Sequence, residues 1–296
     1  MSRLRVPPFE SKKTDWTTML VGFSAGCFMV LLMIIIASSI IMNTSRKIPQ
    51  TSEEQHEAVS AESRHLYRSD WTVVTRLYRG PMLCIIMIFL LGINVRGWGA
   101  AGVNHKLIFE LDPRHHSSHH DILGTAIILA VMWCISLVIF IFADYLSIPA
   151  FYSPLALIIT YAVFLFNPVK VLKYEARSWM LNILARMILA PLPFVVFADF
   201  WVADQFNSIA PALKDLHYFV CFYTNNETTL DNGWDVAVDS GTCSESWRWL
   251  PYVLVSIPAY WRWSQCLRRY RDTRAAFPHL VNAGKYSSGI ITNIIR

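Results

Sequence analysis

The sequence has few charged residues for its length. Among 296 residues only 16% are Asp, Glu, Lys or Arg, whereas 54% are hydrophobic, and the mean hydropathy is +0.36. A chain this apolar is not an ordinary soluble domain. Its net charge of +5 comes largely from clusters beside apolar runs, and no RNA-recognition, zinc-finger or helix-turn-helix pattern accompanies it. The sequence therefore predicts a membrane protein with no nucleic-acid partner.

Apolar runs long enough to cross a bilayer dominate the sequence. The first run, 19–42, has 24 residues without a charge, enough for a hydrocarbon core of ~30 Å at ~1.5 Å per helical residue. It is too long for the apolar region of a signal peptide. We predict an all-α, polytopic transmembrane helical bundle with about six full spans and a truncated seventh that begins at Tyr286. The six predicted spans are 19–42, 81–102, 122–143, 148–167, 199–222 and 249–267.

The segment 179–197 is apolar but is predicted not to span the membrane. Pro191 and Pro193 interrupt it and leave about twelve continuous helical residues, which is short for a span. Arg177 and Arg186 suit a helix that lies in the membrane interface. We therefore predict an interfacial helix at 179–197.

The membrane topology follows from a glycosylation sequon. Asn226 begins the sequence Asn-Glu-Thr, which can accept a glycan only on the extracellular or lumenal side. We predict a cytosolic N-terminus and an external loop at 223–247, which contains no Lys or Arg. Cys221 and Cys243 bracket this loop, where they can form a disulfide. The expected location is the plasma membrane.

One predicted span, 199–222, carries a polar stripe. Its polar residues recur at steps of three and four positions, and its other faces are Phe, Trp, Val, Ile and Leu. A charge at the centre of a membrane helix costs ~2.5–3.5 kcal/mol, so Asp204 and Asn207 are expected to face the bundle interior or an aqueous path. A polar contact between two helices is the alternative. The stripe consists of Asp204, Asn207, Ser208, Pro211, Lys214 and Asp215.

Cations cluster at and after the sixth predicted span. Arg262 and Arg269 are seven residues apart, about two helical turns, and therefore share a helix face. Lys285 is predicted to begin the next helix. Because a guanidinium grips a tetrahedral oxyanion with two hydrogen bonds and an ammonium adds a point charge, we predict that these three residues line an anion path, with Asp204 limiting how tightly the anion is held. The other cations are predicted to be cytosolic anchors: Arg268, Arg271 and Arg274.

A histidine-rich tract suggests a competing hypothesis. His116, His119 and His120 have the spacing of a histidine box in membrane di-iron desaturases and hydroxylases. Those enzymes need several boxes to fill two metal shells, and the other histidines form no second box. A polar loop is the favoured interpretation, so no metal site, cofactor or catalytic residue is predicted.

Three long stretches carry a family resemblance. GINVRGWGAAGVNHKLIFELDPR (92–114), FADFWVADQFNS (197–208) and QCLRRYRDTRAAFPHLVNAGKYS (265–287) closely resemble the EXS domain of the xenotropic and polytropic retrovirus receptor family of phosphate exporters. The stretches DWTTMLVGF and TRLYRG are similar to the first spans of that family. The resemblance extends from about residue 15 to residue 288.

The resemblance implies export of inorganic phosphate from the cytosol through a helical bundle, in a homodimer formed through the first spans. The cost of desolvating phosphate, rather than the resemblance, suggests two alternative roles for Asp204: to accept a hydrogen bond from a protonated phosphate oxygen, or to hold a basic partner in place. The implied units are a cytosolic tail at 1–18, a scaffold of four spans at 19–167 and a partial transport core at 168–296. The implied phosphate-binding set is Asp204, Asn207, Arg262, Arg269, Lys285 and Tyr286.

The sequence departs from the family pattern at both ends. The family usually has a cytosolic SPX domain that senses inositol pyrophosphates, and its bundle continues past the position of Lys285 with further arginines, an aspartate and a gating tryptophan. We therefore expect no inositol pyrophosphate sensing, and an incomplete gene product or a truncated form. The expected partners are inorganic phosphate, membrane lipids and a second copy of the chain. The alternative function is a non-transporting regulatory or dimerisation partner of an intact exporter.

Overall fold

The computed structural model describes residues 16–45, 71–112, 116–143, 145–224 and 249–295. All regular structure in these ranges is helical, without a β-strand, which confirms the all-α part of the predicted fold class. In chain order the helices are α1 (Trp16–Ser45), α2 (Trp71–Ala100), α3 (His105–Ile108), α4 (His119–Ile141), α5 (Tyr152–Phe166), α6 (Tyr174–Ile188), α7 (Phe197–Ser208), α8 (Ala210–Thr224), α9 (Leu250–Thr273) and α10 (His279–Ile295).

Three of the described helices are long and apolar enough to cross a membrane. They contain the segments Val21–Ser38 in α1, Val74–Ala100 in α2 and His119–Ile141 in α4, with mean hydropathies of 2.4, 1.8 and 2.6. The shortest of the three segments has 18 residues, ~27 Å of helix. These segments correspond to the first three predicted spans, although α2 begins at Trp71 rather than at residue 81.

Length and composition do not establish the later predicted spans. Helix α5 is apolar but has only 15 residues, ~22 Å of helix, which is less than the hydrocarbon thickness. Helix α9 has 24 residues, but four arginines and an aspartate lie in its second half. The predicted total of six full spans and a truncated seventh therefore remains a prediction.

The predicted single helix at 199–222 is wrong. The structure has two helices, α7 and α8, with Ile209 between them outside either helix. Pro211 lies in the first turn of α8, where its missing N–H leaves a gap in the hydrogen-bond ladder of any continuous helix. The predicted polar stripe is thereby divided between two helices, and its members face different neighbours.

The helix predicted at 179–197 occupies a different range in the structure. Helix α6 begins at Tyr174 and ends at Ile188, because Pro191 and Pro193 cannot continue it. Arg177 on α6 is 5% exposed, and its guanidinium donates to five backbone carbonyls, one in the last turn of α5 and four in the loop between α5 and α6. Its role in the structure is therefore to organise that loop, not to present a charge at a surface. The carbonyls belong to Phe164, Asn167, Val169, Val171 and Leu172.

The predicted start of the last helix at Lys285 is wrong as well. Helix α10 begins at His279, directly after Pro278, which is tolerated at a helix start because no N–H is needed there. The N–H of Asn282 donates to the carbonyl of Pro278 at 3.0 Å. Lys285 consequently lies in the interior of α10, beside Tyr286.

Helix α4 is the centre of the first part of the bundle. It packs against α1, α2 and α5, and its buried apolar residues Cys134, Leu137 and Phe140 meet Tyr78 of α2. The hydroxyl of Tyr78 lies 3.1 Å from the hydroxyl of Ser136. A buried hydroxyl needs such a partner because leaving it unpaired costs free energy.

Helix α9 organises the second part of the bundle. It packs against α7, α8 and α10, and α6 packs against α7. Contacts between α2 and α8 join the two parts. Arg79 on α2 donates from Nε and Nη2 to the two carboxylate oxygens of Asp215 on α8, both at 2.7 Å. The arrangement brings side chains of α7, α9 and α10 together.

Candidate functional site

Asp204 on α7, Arg262 on α9 and Tyr286 on α10 meet in one cluster, here called the Asp204 cluster. Asp204 Oδ1 accepts from Arg262 Nε at 2.6 Å and from the Tyr286 hydroxyl at 2.8 Å. Arg262 Nε also lies 3.2 Å from the Tyr286 oxygen. The structure therefore brings together three of the six residues predicted to bind phosphate.

Arg262 is held on several sides within this cluster. The residue is 8% exposed, and its Nη1 donates to Gln265 Oε1 at 3.1 Å. Its guanidinium carbon lies 5.3 Å from the ring centre of Phe200 and 5.2 Å from that of Tyr286, within the range of cation–π attraction. Because these contacts come from α7, α9 and α10, Arg262 ties the three helices together.

The polar network extends beyond the residues that sequence reasoning identified. Gln265 is 1% exposed, and its Nε2 donates to the backbone carbonyl of Asp199 at 3.2 Å. The carboxylate of Asp199 accepts from Arg186 Nε at 2.9 Å and from the N–H of Val196 at 3.0 Å. Gln265 and Asp199 were missed, and their only sequence signal is a polar residue within an apolar stretch.

Arg269 has unused hydrogen-bonding capacity. Its Nη1 lies 3.4 Å from the carbonyl of Val195, which is a long contact. Its Nε is buried without a hydrogen-bond partner. Among the described residues no carboxylate forms a salt bridge with Arg269, so its charge is uncompensated at short range.

Lys285 on α10 also lacks a salt-bridge partner among the described residues. The residue is exposed, and its Nζ lies 5.4 Å from the ring centre of Tyr286. No acidic residue in the described ranges pairs with it. Lys285 thus adjoins Tyr286 of the Asp204 cluster, and no carboxylate among the described residues neutralises its charge.

Asn207 is not part of the cluster. It lies on α7 three residues after Asp204, and it is exposed. The described part of the chain supplies no hydrogen-bond partner for its side chain. Its predicted role therefore stays a prediction.

The prediction that Arg268 is a cytosolic anchor does not agree with its burial. Arg268 is 7% exposed, and its Nη1 donates to the carbonyls of Pro191 and Leu192. Its Nε donates to Asp272 at 2.9 Å. Arg268 therefore fastens the loop between α6 and α7 to α9. In contrast, Arg271 and Arg274 are exposed, as expected for anchors.

Asp215, at the C-terminal end of the predicted stripe, contacts a different helix from Asp204. Asp215 pairs with Arg79 of α2, whereas Asp204 pairs with Arg262 of α9. Lys214 is exposed. The two carboxylates therefore serve separate contacts, which corrects the prediction of one polar stripe on one helix.

The predicted extracellular features lie only partly within the described residues. Cys221 is disulfide-bonded, but Cys243 lies outside the described residues, so their pairing stays a prediction. Asn226 also lies outside them. In the described ranges no group of three or more metal-binding side chains occurs, and the rings of His119 and His120 lie 4.0 Å apart.

The described helices and this site define a helical membrane protein in which arginine–carboxylate pairs join the helices. Two further cations, Arg269 and the exposed Lys285, have no carboxylate partner among the described residues. Comparison with known families identifies the protein further. The chain belongs to the EXS family, whose family model matches residues 74–296.

Three relatives illustrate the similarity. The chain is 42% identical over 299 residues to human solute carrier family 53 member 1, with 97% of this chain and 39% of the relative covered. It is 41% identical over 293 residues to the xenotropic and polytropic retrovirus receptor 1 homolog of Danio rerio, covering 97% and 40%. The homolog of Xenopus laevis is 40% identical over 290 residues, with 97% and 39% covered. The chain therefore spans about two fifths of the length of these relatives.

Proposed function

We propose that this chain forms part of a path for the export of inorganic phosphate across the plasma membrane. Membership of the EXS family and similarity to a human solute carrier support a transport role. The observation that carries the proposal is a pair of cations, Arg269 and Lys285, that have no carboxylate partner among the described residues. Lys285 adjoins Tyr286 of the Asp204 cluster on α10, and Arg269 lies about two helical turns from Arg262 on α9.

The charge distribution suits a phosphate ion. The buried carboxylate of Asp199 neutralises Arg186, and Asp272 neutralises Arg268. If Arg269 and Lys285 are counted with the Asp204–Arg262 pair, three cations and one carboxylate leave a net charge of +2. This charge matches a divalent phosphate, which must exchange its hydration for fixed donors when it enters a site of low dielectric constant. The four groups are Asp204, Arg262, Arg269 and Lys285.

The proposed roles differ between the cations. Arg262 is already bound to Asp204 and Gln265, so it maintains the site more than it contacts the ion. Arg269 and Lys285 supply charge-assisted hydrogen bonds, which are about twice as strong as neutral ones. Asn207, exposed near Asp204, adds a neutral donor. The negative charge of Asp204 among these donors lowers the affinity for phosphate, so that the ion can be released.

We further propose that two copies of the chain associate through the first spans. Helix α1 exposes large apolar side chains on the isolated chain, including Phe23 at 73% and Met33 at 60% exposure. Lipid and a second copy are both suitable neighbours for such a surface. Cross-linking through the native thiol of Cys27, which is on α1 and free, distinguishes them because only a second copy gives a covalent dimer.

The test of export is phosphate efflux from cells loaded with radioactive phosphate. Cells that express the chain at the surface should release phosphate faster than cells without it. The same assay with an intact relative co-expressed examines the alternative of a regulatory partner. A chain that changes the relative's efflux without producing efflux of its own would contradict export and favour the regulatory function.

A further inference from the structure

The two carboxylate oxygens of Asp204 have different surroundings. Oδ1 accepts from both Arg262 Nε and the Tyr286 hydroxyl, at 2.6 and 2.8 Å. No donor in the described part of the chain hydrogen-bonds to Oδ2. The Asp204 side chain is 46% exposed, whereas that of Arg262 is 9% exposed. One oxygen is therefore engaged by two donors, and the other accepts no hydrogen bond from the described residues in a side chain that is nearly half exposed.

The orientation of this carboxylate is set by its surroundings. Arg262 is fixed by Gln265 and by the rings of Phe200 and Tyr286. Two donors that converge on Oδ1 from α9 and α10 resist rotation of the carboxylate, because rotation would break both charge-assisted bonds. Oδ2 is thus a preorganised acceptor in a site whose other charged groups are donors.

We propose that Asp204, through Oδ2, selects oxyanions that carry a proton. This inference rests on the proposed function, since it concerns the anion that the site accepts. At neutral pH both common forms of phosphate retain at least one O–H group, and arsenate does so too, so each can donate to Oδ2. Sulfate has the same shape and a similar charge but no proton, and its oxygens would meet the lone pairs of Oδ2.

The expected discrimination is substantial. A site built to hydrogen-bond a hydroxyl rejects an analogue that lacks it, and here Oδ2 would in addition face an oxygen of like charge. The loss of one charge-assisted hydrogen bond corresponds to about a ten- to hundredfold change in affinity. Asp204 therefore makes sulfate a weak competitor even though the neighbouring cations attract it.

The test measures displacement of radioactive phosphate from the purified protein in lipid nanodiscs. In the unmodified protein, arsenate should displace phosphate about as well as phosphate itself, and sulfate should be at least about tenfold weaker. In Asp204→Asn the amide oxygen takes the place of Oδ1 and the NH₂ group the place of Oδ2, so this position donates to any oxyanion. The preference for phosphate over sulfate should then nearly disappear.

Tyr286→Phe is the matched control. It removes a donor to Oδ1 but leaves Oδ2 as a carboxylate oxygen, so the preference should persist even if both anions bind more weakly. If Asp204→Asn fails to fold, the double variant Asp204→Asn with Arg262→Gln avoids an unpaired buried cation, and it should lose the preference as well.

The outcomes separate the two proposals. If the unmodified protein binds phosphate and sulfate competes equally, or if both Asp204 variants keep the preference, the selective role of Asp204 is wrong and phosphate binding stands. If the unmodified protein retains no phosphate, both the proposed function and this role are overturned.

Discussion

Asp204 and Arg262 are 58 residues apart in the chain, and their side chains form a hydrogen-bonded ion pair of 2.6 Å between α7 and α9. The exposure of the two side chains is unequal, at 46% and 9%. The pair therefore separates a cation that is held inside the bundle from a carboxylate that remains accessible. The site is therefore not a row of equivalent cations. Arg262 is paired with a carboxylate, whereas Arg269 and Lys285 have no carboxylate partner among the described residues.

Lys285→Ala is expected to reduce phosphate efflux about ten- to hundredfold, because it removes a charge-assisted hydrogen bond from the proposed site. Efflux should be compared at equal surface expression. Arg274→Ala is the matched control, since Arg274 is an exposed cation at the end of α9, and it should change efflux little. Equal losses in the two variants would show that the cations act as membrane anchors and that the anion path is misplaced.

Arg268→Ala is expected to destabilise the fold by at least about 2 kcal/mol, because the buried guanidinium binds two carbonyls of the α6–α7 loop and Asp272. Arg271→Ala should change stability by less than about 0.5 kcal/mol, since Arg271 is exposed. Chemical denaturation in detergent measures both. A silent Arg268→Ala would mean that the loop does not depend on this contact.

The Arg79–Asp215 pair should respond unequally to removal of either partner. The Arg79 side chain is 44% exposed and that of Asp215 is 6% exposed. Arg79→Ala leaves a buried, unpaired carboxylate and should cost about 3 kcal/mol. Asp215→Ala leaves a cation that water can solvate and should cost about 1 kcal/mol. Unfolding of the two variants under identical conditions checks this order, and the reverse order would contradict the burial argument.

Cys221 and Cys243 are expected to be disulfide-bonded to each other. When the unreduced, denatured protein is alkylated, neither cysteine should react. Peptide mass analysis should then find the two peptides joined by a disulfide. Cys134 and Cys266 serve as internal controls, because they are free and buried and should be alkylated under the same conditions. Modification of Cys243 without prior reduction would rule out the pairing.

Asn226 is expected to carry a glycan because the loop 223–247 is predicted to be external. Glycosidase treatment should lower the apparent mass of the expressed protein, and Asn226→Gln should abolish that shift. If reagents confined to the cytosol label this loop, the predicted topology is wrong.

Much of the architecture could be predicted from local sequence properties. The long apolar runs predicted α1, α2 and α4 because the length of an apolar helix must match the thickness of the bilayer. The cost of a charge in an apolar helix selected Asp204, and the seven-residue spacing from Arg269 selected Arg262; the structure places Asp204 and Arg262 in contact. Asn207, selected together with Asp204, is exposed. These features could be predicted because each depends on the composition and periodicity of one helix, and not on how the helices pack together.

The choice of partner for each charge depended on tertiary structure. Arg262, Arg268 and Arg269 lie on one helix within eight residues, yet one binds a carboxylate of α7, another binds loop carbonyls, and the third has a buried donor without a partner. Periodicity assigns each arginine to a face of α9, but it contains no information on which distant segment packs against that face. The division of 199–222 at Ile209 had the same consequence, because it directed Asp204 and Asp215 to different helices. Only the packing of α2, α7, α8 and α9 decides which charges are neutralised and which remain available to an anion.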